Sequence, residues 1–316
     1  MKTIHTIDCH YAGISNVACA YLIVEGERAA FVETNTTHAV PYLLAKLESL
    51  GIPRENVDFV IITHVHLDHA GGASALLATC PNAILLAHPK AARHMIQPER
   101  LVASSKAVYG EENFQKLYGE INPIPENRVR IMNDGESMVF GNRQFDFIYT
   151  KGHANHHFCI YDSLSNSVFT GDSFGIAYPK LELGGRFIFP TTTPTDFHAE
   201  EALRSLDLIL NTGANEAYLT HFGSITNLSD AKKHLEKGIK LCGEAIQTAK
   251  SKFADVRDHK DFKTELSLYF QNIVHDMIFT LAKDQGVSLT EKDWQLLKLD
   301  VDLNSQGLVF AFQRNS

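Results

Sequence analysis

The sequence predicts an α/β fold that gives way to a helical C-terminal part. Three observations predict it. Up to about residue 220, short apolar runs of strand length alternate with stretches whose apolar positions recur at helical spacing. From about Asp230, Lys and Glu become frequent and helical periodicity dominates to about Leu299. Hydrophobic residues make up 44% of the 316 positions, enough for a sizeable core and too many for long disorder.

Taken in order, residues 19–24 and 29–32 read as strands joined by the turn-like Glu25-Gly26-Glu27-Arg28. Residues 37–50 carry Val40, Leu43, Leu44 and Leu47 on one helical face, and Gly51 and Pro53 stop the helix. Residues 57–63 form a buried strand by composition, 70–80 a helix and 83–87 a strand. Residues 91–127 are polar and mostly helical in pattern, and end in Asn122-Pro123-Ile124-Pro125. They read as an insertion between core elements. Strand signals resume at 129–132, 138–140, 144–150, 158–161 and 168–170, with turns at Asp134-Gly135 and Gly141-Asn142. A Thr- and Pro-rich loop follows at 187–195, then an amphipathic helix at 199–210 and a last short strand at 217–220. Thr290-Glu291-Lys292-Asp293 reads as a capping box with Asp in place of Glu or Gln. The division expected is 1–229 for the α/β domain and 230–316 for a helical extension packing on it.

The formal net charge of −8 argues against nucleic acid or an anionic membrane as the main partner and leaves room for a local basic pocket. His5, Asp8 and His10 interrupt the first residues, so no signal-peptide core is read. No apolar run reaches the roughly 18 residues of a spanning helix. A cytoplasmic location is expected. Cys9, Cys19, Cys80, Cys159 and Cys242 are odd in number and widely spaced, which fits reduced, buried thiols better than a disulfide framework.

The densest chemistry is Thr63-His64-Val65-His66-Leu67-Asp68-His69, directly after a buried strand. In extended backbone, residues two apart point the same way, so His64 and His66 can grip one ion together. In a helix they would diverge by about 200°. Asp68 and His69 come as the chain turns into a helix and can aim elsewhere. One Zn²⁺ takes about four ligands in all, so this many donors in one loop suit two neighbouring ions. Gly71-Gly72 beside the box implies close backbone packing.

This box resembles the signature of the metallo-β-lactamase superfamily. Three later segments agree in order and context: Lys151-Gly152-His153-Ala154, Phe169-Thr170-Gly171-Asp172 and Thr220-His221-Phe222-Gly223. The resemblance spans roughly residues 10–225. It implies the αββα four-layer sandwich of that superfamily, here with a helical C-terminal extension. It also implies that His64, His66 and His153 hold a first metal, that Asp68, His69 and His221 hold a second, and that Asp172 bridges them. Imidazole and carboxylate donors without thiolate suit Zn²⁺, and also Fe or Mn.

The resemblance further implies a hydrolase of a small ester, lactone, thioester or related molecule. Two ions about 3.5–4 Å apart can hold a bridging water and lower its pKa toward 7. Asp68 would bind metal and orient that nucleophile. An iron-dependent oxidoreductase of the same fold, persulfide dioxygenase-like or diiron, is the alternative, and a small-molecule sensor is a third. Flavodiiron proteins usually have Glu where this chain has His66. The residues after Asp172 lack the Gly- and basic-rich pattern of many glutathione thioesterases, and Lys151 replaces a frequent Pro. His156 and His157 are expected to support the ligands, and His88 and His94 to be structural. The other histidines, among them His10, His198 and His275, have no ligand-motif context. Substrate selection is expected from 91–127, 174–195 and the C-terminal helices. Tyr178, Lys180, Phe187 and Phe189 are the candidate contacts, and Arg186 a second candidate for an anionic group. Ordinary packing competes with each. Oligomeric state stays open, a homodimer included.

Overall fold

The computed structural model describes residues 3–181, 187–192, 195–254 and 260–314. The backbone contacts divide the chain into two compact units.

The first unit comprises the residues up to Tyr149, His156–Gly171 and Ala214–Ile225, and holds two six-stranded sheets. The first sheet runs β1 (Ile4–Asp8), β2 (Cys19–Glu25), β3 (Arg28–Val32), β4 (Val57–Ile61), β5 (Ile84–Ala87) and β6 (Val129–Ile131), neighbours in space as in sequence. β1, β2 and β3 pair antiparallel, and β3 to β6 are parallel. Parallel strands need crossovers. These are α1 (Val40–Ser49); then α2 (Leu67–Ala70) with α3 (Ala73–Thr79); then α4 (Pro89–Ile96), α5 (Glu99–Tyr109) and α6 (Glu111–Tyr118). The insertion read at 91–127 is this last helical crossover. The second sheet joins β7 (Ser137–Phe140), β8 (Arg143–Tyr149), β9 (Phe158–Asp162) and β10 (Ser167–Gly171) antiparallel. β11 (Glu216–Leu219) pairs parallel to β10, and β12 (Gly223–Ile225) closes the edge.

β2 and β3 are apolar on both faces because both of their faces are covered. In β2, Ala20 and Leu22 belong to the core shared with α1 and α3, while Cys19, Tyr21 and Ile23 belong to the core between the sheets. That is the period of two of an extended chain. Phe145, Phe147, Phe158 and Phe169 fill the inter-sheet core from the second sheet. Segments about 200 residues apart meet there: the Tyr21 hydroxyl donates to the Leu219 carbonyl, and the Cys19 N–H donates to the Thr220 carbonyl at 2.9 Å.

The second unit comprises Thr150–Asn155, Asp172–Gly213 and the chain from Thr226 on. Its helices are α7 (Ala199–Asn211), α8 (Leu228–Lys252), α9 (Phe262–Asp284) and α10 (Glu291–Arg314). Asn227 caps α8 by accepting from the Asp230 N–H. The Thr290 box forms as read: Asp293 accepts from the Thr290 N–H at 2.7 Å, and Thr290 Oγ1 accepts from the Asp293 N–H at 3.3 Å. No described helix is long and apolar enough to cross a membrane.

Three elements differ from the sequence reading. β1 was not anticipated, because its sequence Ile-His-Thr-Ile-Asp breaks strict alternation; pairing with β2 holds it. β12 is too short to signal itself. The helix expected at 70–80 is broken by Gly71-Gly72 into α2 and α3. The break is steric: a Cβ at Gly71 would lie 2.4 Å from the Leu67 carbonyl oxygen, and one at Gly72 would lie 2.7 Å from that of Thr34.

Candidate metal centre

Strand β4 ends at Ile61, and the ligand box follows on the loop that enters α2. His66 is the N-cap of α2, with an extended backbone, and its carbonyl accepts from the His69 and Ala70 N–H groups. This places Asp68 and His69 in the only turn of α2, where they can aim away from His64 and His66. His64 Nε2 and His66 Nδ1 lie 2.9 Å apart. Asp68 Oδ2 lies 3.4 Å from His221 Nε2 and 3.9 Å from His69 Nε2. One donor atom from each of Asp68, His69 and His221 falls within 4.8 Å of the others.

Hydrogen bonds fix which nitrogen faces the cluster. His221 Nδ1 is 3.0 Å from the Val17 carbonyl, which can only accept, so Nδ1 carries the proton and Nε2 a lone pair. His69 Nδ1 is 3.2 Å from Glu33 Oε1 and donates to it, which turns its Nε2 lone pair toward Asp68. Thr63 gives its hydroxyl proton to Glu33 Oε1, so Thr63 Oγ1, 3.1 Å from His64 Nδ1, accepts from that ring. Two imidazole lone pairs and a carboxylate therefore converge on one another. This donor set, nitrogen and oxygen without sulfur, fits a divalent Zn, Fe or Mn ion.

Glu33 is the hub behind these ligands and was missed in the sequence reading. It is 1% exposed, follows β3, and its Oε1 also accepts from Thr220 at 3.3 Å. Its φ of 65° is left-handed, and so is that of Asn35 at 52°, a costly conformation for residues other than glycine. The bend lets Asn35 Nδ2 donate to the Asp68 carbonyl at 2.8 Å, and Thr34 bind the His69 carbonyl with both its N–H and its hydroxyl. Nothing in Phe31-Val32-Glu33-Thr34 marks this acid by pattern. The only signal available was a carboxylate directly after an apolar strand.

His157 is buried, with its ring 4.9 Å from that of His64. His156 packs at 6.0 Å from His64 and accepts from the Val65 N–H at 3.5 Å. Both lie behind or beside the ligands. Gly171 ends β10 at φ 49°, and a Cβ there would lie 2.5 Å from both His157 Nε2 and Thr63 Oγ1.

The remaining two expected ligands belong to the second unit. His153 Nε2 and Asp172 Oδ2 are 3.4 Å apart and both side chains are buried. Their loops are anchored there: the His198 N–H donates to the Gly152 carbonyl, and Asp196 accepts from the Asn155 N–H at 3.1 Å. A Cβ at Gly152 would lie 2.2 Å from the backbone nitrogen of Ala202 on α7. A small pocket in this unit is lined by His153, Asp172, Lys151, Ser173 and Thr191.

The expected substrate contacts are placed as follows. Tyr178 is buried and donates to Asp300 on α10 at 2.9 Å. Phe187 and Phe189 are fully buried, with rings stacked at 5.2 Å. The Lys180 side chain and the whole of Arg186 lie outside the described residues. His88 caps α4, and its ring packs tilted against that of Tyr149 with centroids 4.2 Å apart. All five cysteines are buried and outside any disulfide, and burial pushes the Cys19 and Cys242 thiols up to about 12.

Two sheets face to face, with His and Asp donors converging where strand β4 runs out and where β11 ends, define a metal-binding α/β protein. Residues 17–221 match the sequence model of the Metallo-beta-lactamase superfamily, and the chain belongs to that superfamily. It is similar to the metallo-beta-lactamase fold-containing protein ST1585 of Sulfurisphaera tokodaii, at 22% identity over 66% of this chain and 75% of that protein. The crystal structure of ST1585 superposes with a TM-score of 0.66 at 18% identity, covering 100% of both chains. The likeness to solved folds therefore extends through the C-terminal helices. The chain is also similar to a nitric oxide reductase of Moorella thermoacetica, at 29% identity over 41% of this chain. A hydroxyacylglutathione hydrolase of a Synechococcus strain is 28% identical over 48%. The matches cover 26% and 47% of those two proteins.

Proposed function

We propose that this protein is a dinuclear metal-dependent hydrolase of a small ester, lactone or thioester. His64, His66 and His153 would hold one ion, Asp68, His69 and His221 the other, and Asp172 would join them. The observation that carries the reading is the convergence of lone pairs from Asp68, His69 and His221, enforced by proton donation from the far side of both rings. Superfamily membership and the order of the four motifs support the full set of seven. Bound divalent ions there would lower the pKa of a coordinated water toward about 7 and polarise a substrate carbonyl. Asp68, the most exposed of the Asp68–His69–His221 cluster, would orient that water and take its proton. Glu33 would hold the His69 tautomer and so keep Nε2 available.

The test joins metal analysis to a substrate screen. Purified protein is expected to carry two equivalents of zinc and to hydrolyse one class among esters, lactones, thioesters, phosphodiesters and β-lactams. His66→Ala should lose metal and turnover together. Unchanged metal stoichiometry in that variant would sink the assignment. The similarity to a nitric oxide reductase favours a second reading, an iron oxidoreductase on the same ligands. Stoichiometric iron with oxygen or nitric oxide consumption, and no hydrolysis, would select it.

A further inference from the structure

Within the second unit, the inner face of α10 carries polar residues among apolar ones. Leu297, Asp300, Asn304, Leu308 and Ala311 recur at helical spacing and are buried, Asn304 to 1% exposure. A buried amide or carboxylate costs stability unless it is hydrogen-bonded. Here the partners lie on the segment that follows Asp172. The Tyr178 hydroxyl donates to Asp300 Oδ1 at 2.9 Å. Asn304 Nδ2 donates at 2.8 Å to the Asp300 carbonyl, which can only accept, so the amide's orientation is fixed and its Oδ1 takes the Thr192 N–H. The Thr192 hydroxyl donates to the Asn304 carbonyl at 2.9 Å. Gln285, the C-cap of α9, accepts from the Ile188 N–H at 2.9 Å and donates to the Ile188 carbonyl at 2.8 Å. Arg314, at the end of α10, donates to the Thr195 carbonyl at 3.3 Å and to that of Phe197 at 2.6 Å. Gln285, Asn304 and Arg314 thus all bind main chain, which fixes the path of the segment whatever its side chains.

Both candidate ligands of this unit hang on that held backbone. Phe189, next to Ile188, exchanges two hydrogen bonds, at 2.9 and 3.1 Å, with Ile176, which lies shortly after Asp172. A Cβ at Gly175 would lie 2.6 Å from the Phe189 carbonyl oxygen, so the two stretches are in direct contact. At the other end, Asp196 accepts from the Asn155 N–H, and the His198 N–H donates to the Gly152 carbonyl. Those two bonds hold the loop on either side of His153. Arg314 in turn holds the carbonyls on either side of Asp196.

We propose that Gln285, Asn304 and Arg314 are positioning residues for the His153–Asp172 pair, a clamp through which the C-terminal helices set the occupancy of the ion assigned to that pair. The proposal rests on the dinuclear reading above. Metal sites tolerate ligand displacements of only about 0.2 Å. His153 Nε2 and Asp172 Oδ2 lie 3.4 Å apart but come from separate loops, so their spacing is set by what anchors each loop. Both anchors run through the stretch between Ile188 and His198, and that stretch is held by side chains of α10 and the α9 C-cap. Without the clamp, each loop would keep its own fold and lose its register with the other.

Zinc affinity of the full chain and residue-level hydrogen exchange test this. Wild type is expected to bind two equivalents. Arg314→Leu and Asn304→Leu should each weaken one of the two about tenfold or more, and leave the ion of the Asp68, His69 and His221 cluster in place. Arg314 is exposed, so its replacement leaves the core intact. In metal-free protein, the Asn155 and His198 amides should exchange about tenfold faster in Arg314→Leu, with the β4 amides at the wild-type rate. Arg314→Lys, which keeps a donor, should restore both readouts. Met277→Ala loosens the buried packing of α9 without touching these bonds, and should keep both equivalents. An equal loss of zinc in Met277→Ala, or two tight equivalents in both Leu variants, would overturn the clamp and leave the dinuclear reading standing. Wild-type protein that takes up no zinc, while exchange at Asn155 and His198 still depends on Arg314, would remove the dinuclear reading and keep the clamp.

Discussion

Glu33 does for the ligands what the ligands would do for a metal. It accepts hydrogen bonds from Thr63, Thr220 and His69 at one oxygen, and the bond from His69 turns that ring's Nε2 toward Asp68. Outer partners of this kind typically contribute 10–100-fold, roughly, to metal affinity. Glu33→Ala should therefore weaken zinc binding by about that factor in a chelator competition, with the fold retained by circular dichroism. Wild-type affinity in the variant would show that Thr63 and the backbone suffice. The contrast with His64, His66, Asp68 and His69 explains what a sequence makes legible at this scale. Those four are adjacent, and their spacing on a strand end carries its own geometry. Glu33 earns its role only through partners 30, 36 and 187 residues away. No local pattern encodes such contacts.

Strand ends and glycines set the site at the scale of elements. β4 delivers the box, β10 ends at Gly171 before Asp172, and β11 ends just before His221. Gly171 has no room for a side chain between His157 and Thr63, and its backbone is left-handed. Gly171→Ala should cost about 1–3 kcal/mol in urea denaturation and lower metal content with it. A variant as stable as wild type would mean that β10 can shift away from His157. Most elements were readable because apolar runs of four to seven residues flanked by turns can hardly be anything else. The helix broken at Gly71-Gly72 was not, since a glycine pair inside helical spacing signals a break only when the carbonyls of Leu67 and Thr34 are known to press on it. β1 owes its existence to the waiting edge of β2, a tertiary fact.

Across the whole molecule, bound metal should appear as stability. Ligand that binds the native state alone at 100 times its Kd adds about 2.7 kcal/mol, so zinc should raise the Tm and chelator should lower it. The sign with pH follows from the donors. An unperturbed imidazole takes a proton near about pH 6.5, and a protonated ring cannot bind metal. The zinc-dependent part of the Tm should thus be present at neutral pH and vanish as pH falls toward about 5. A Tm indifferent to zinc at pH 7.5 would contradict a centre held by native geometry. The α/β class and the helical C-terminal part were legible at this scale from periodicity alone. Division into two units was not, because Thr150–Asn155 and Asp172–Gly213 leave the first unit and return to it. One consequence concerns timing. The hydrogen bonds from Cys19 and Tyr21 to Thr220 and Leu219 join residues up to 201 positions apart, and His221 lies just beyond them. At roughly 5–20 residues per second, a ribosome needs roughly 10–40 s to cover that distance. A nascent chain thus carries its His-rich loop exposed for most of that interval before the closing strand arrives. Metal capture in the order of the finished site can begin only after the last sheet edge has docked.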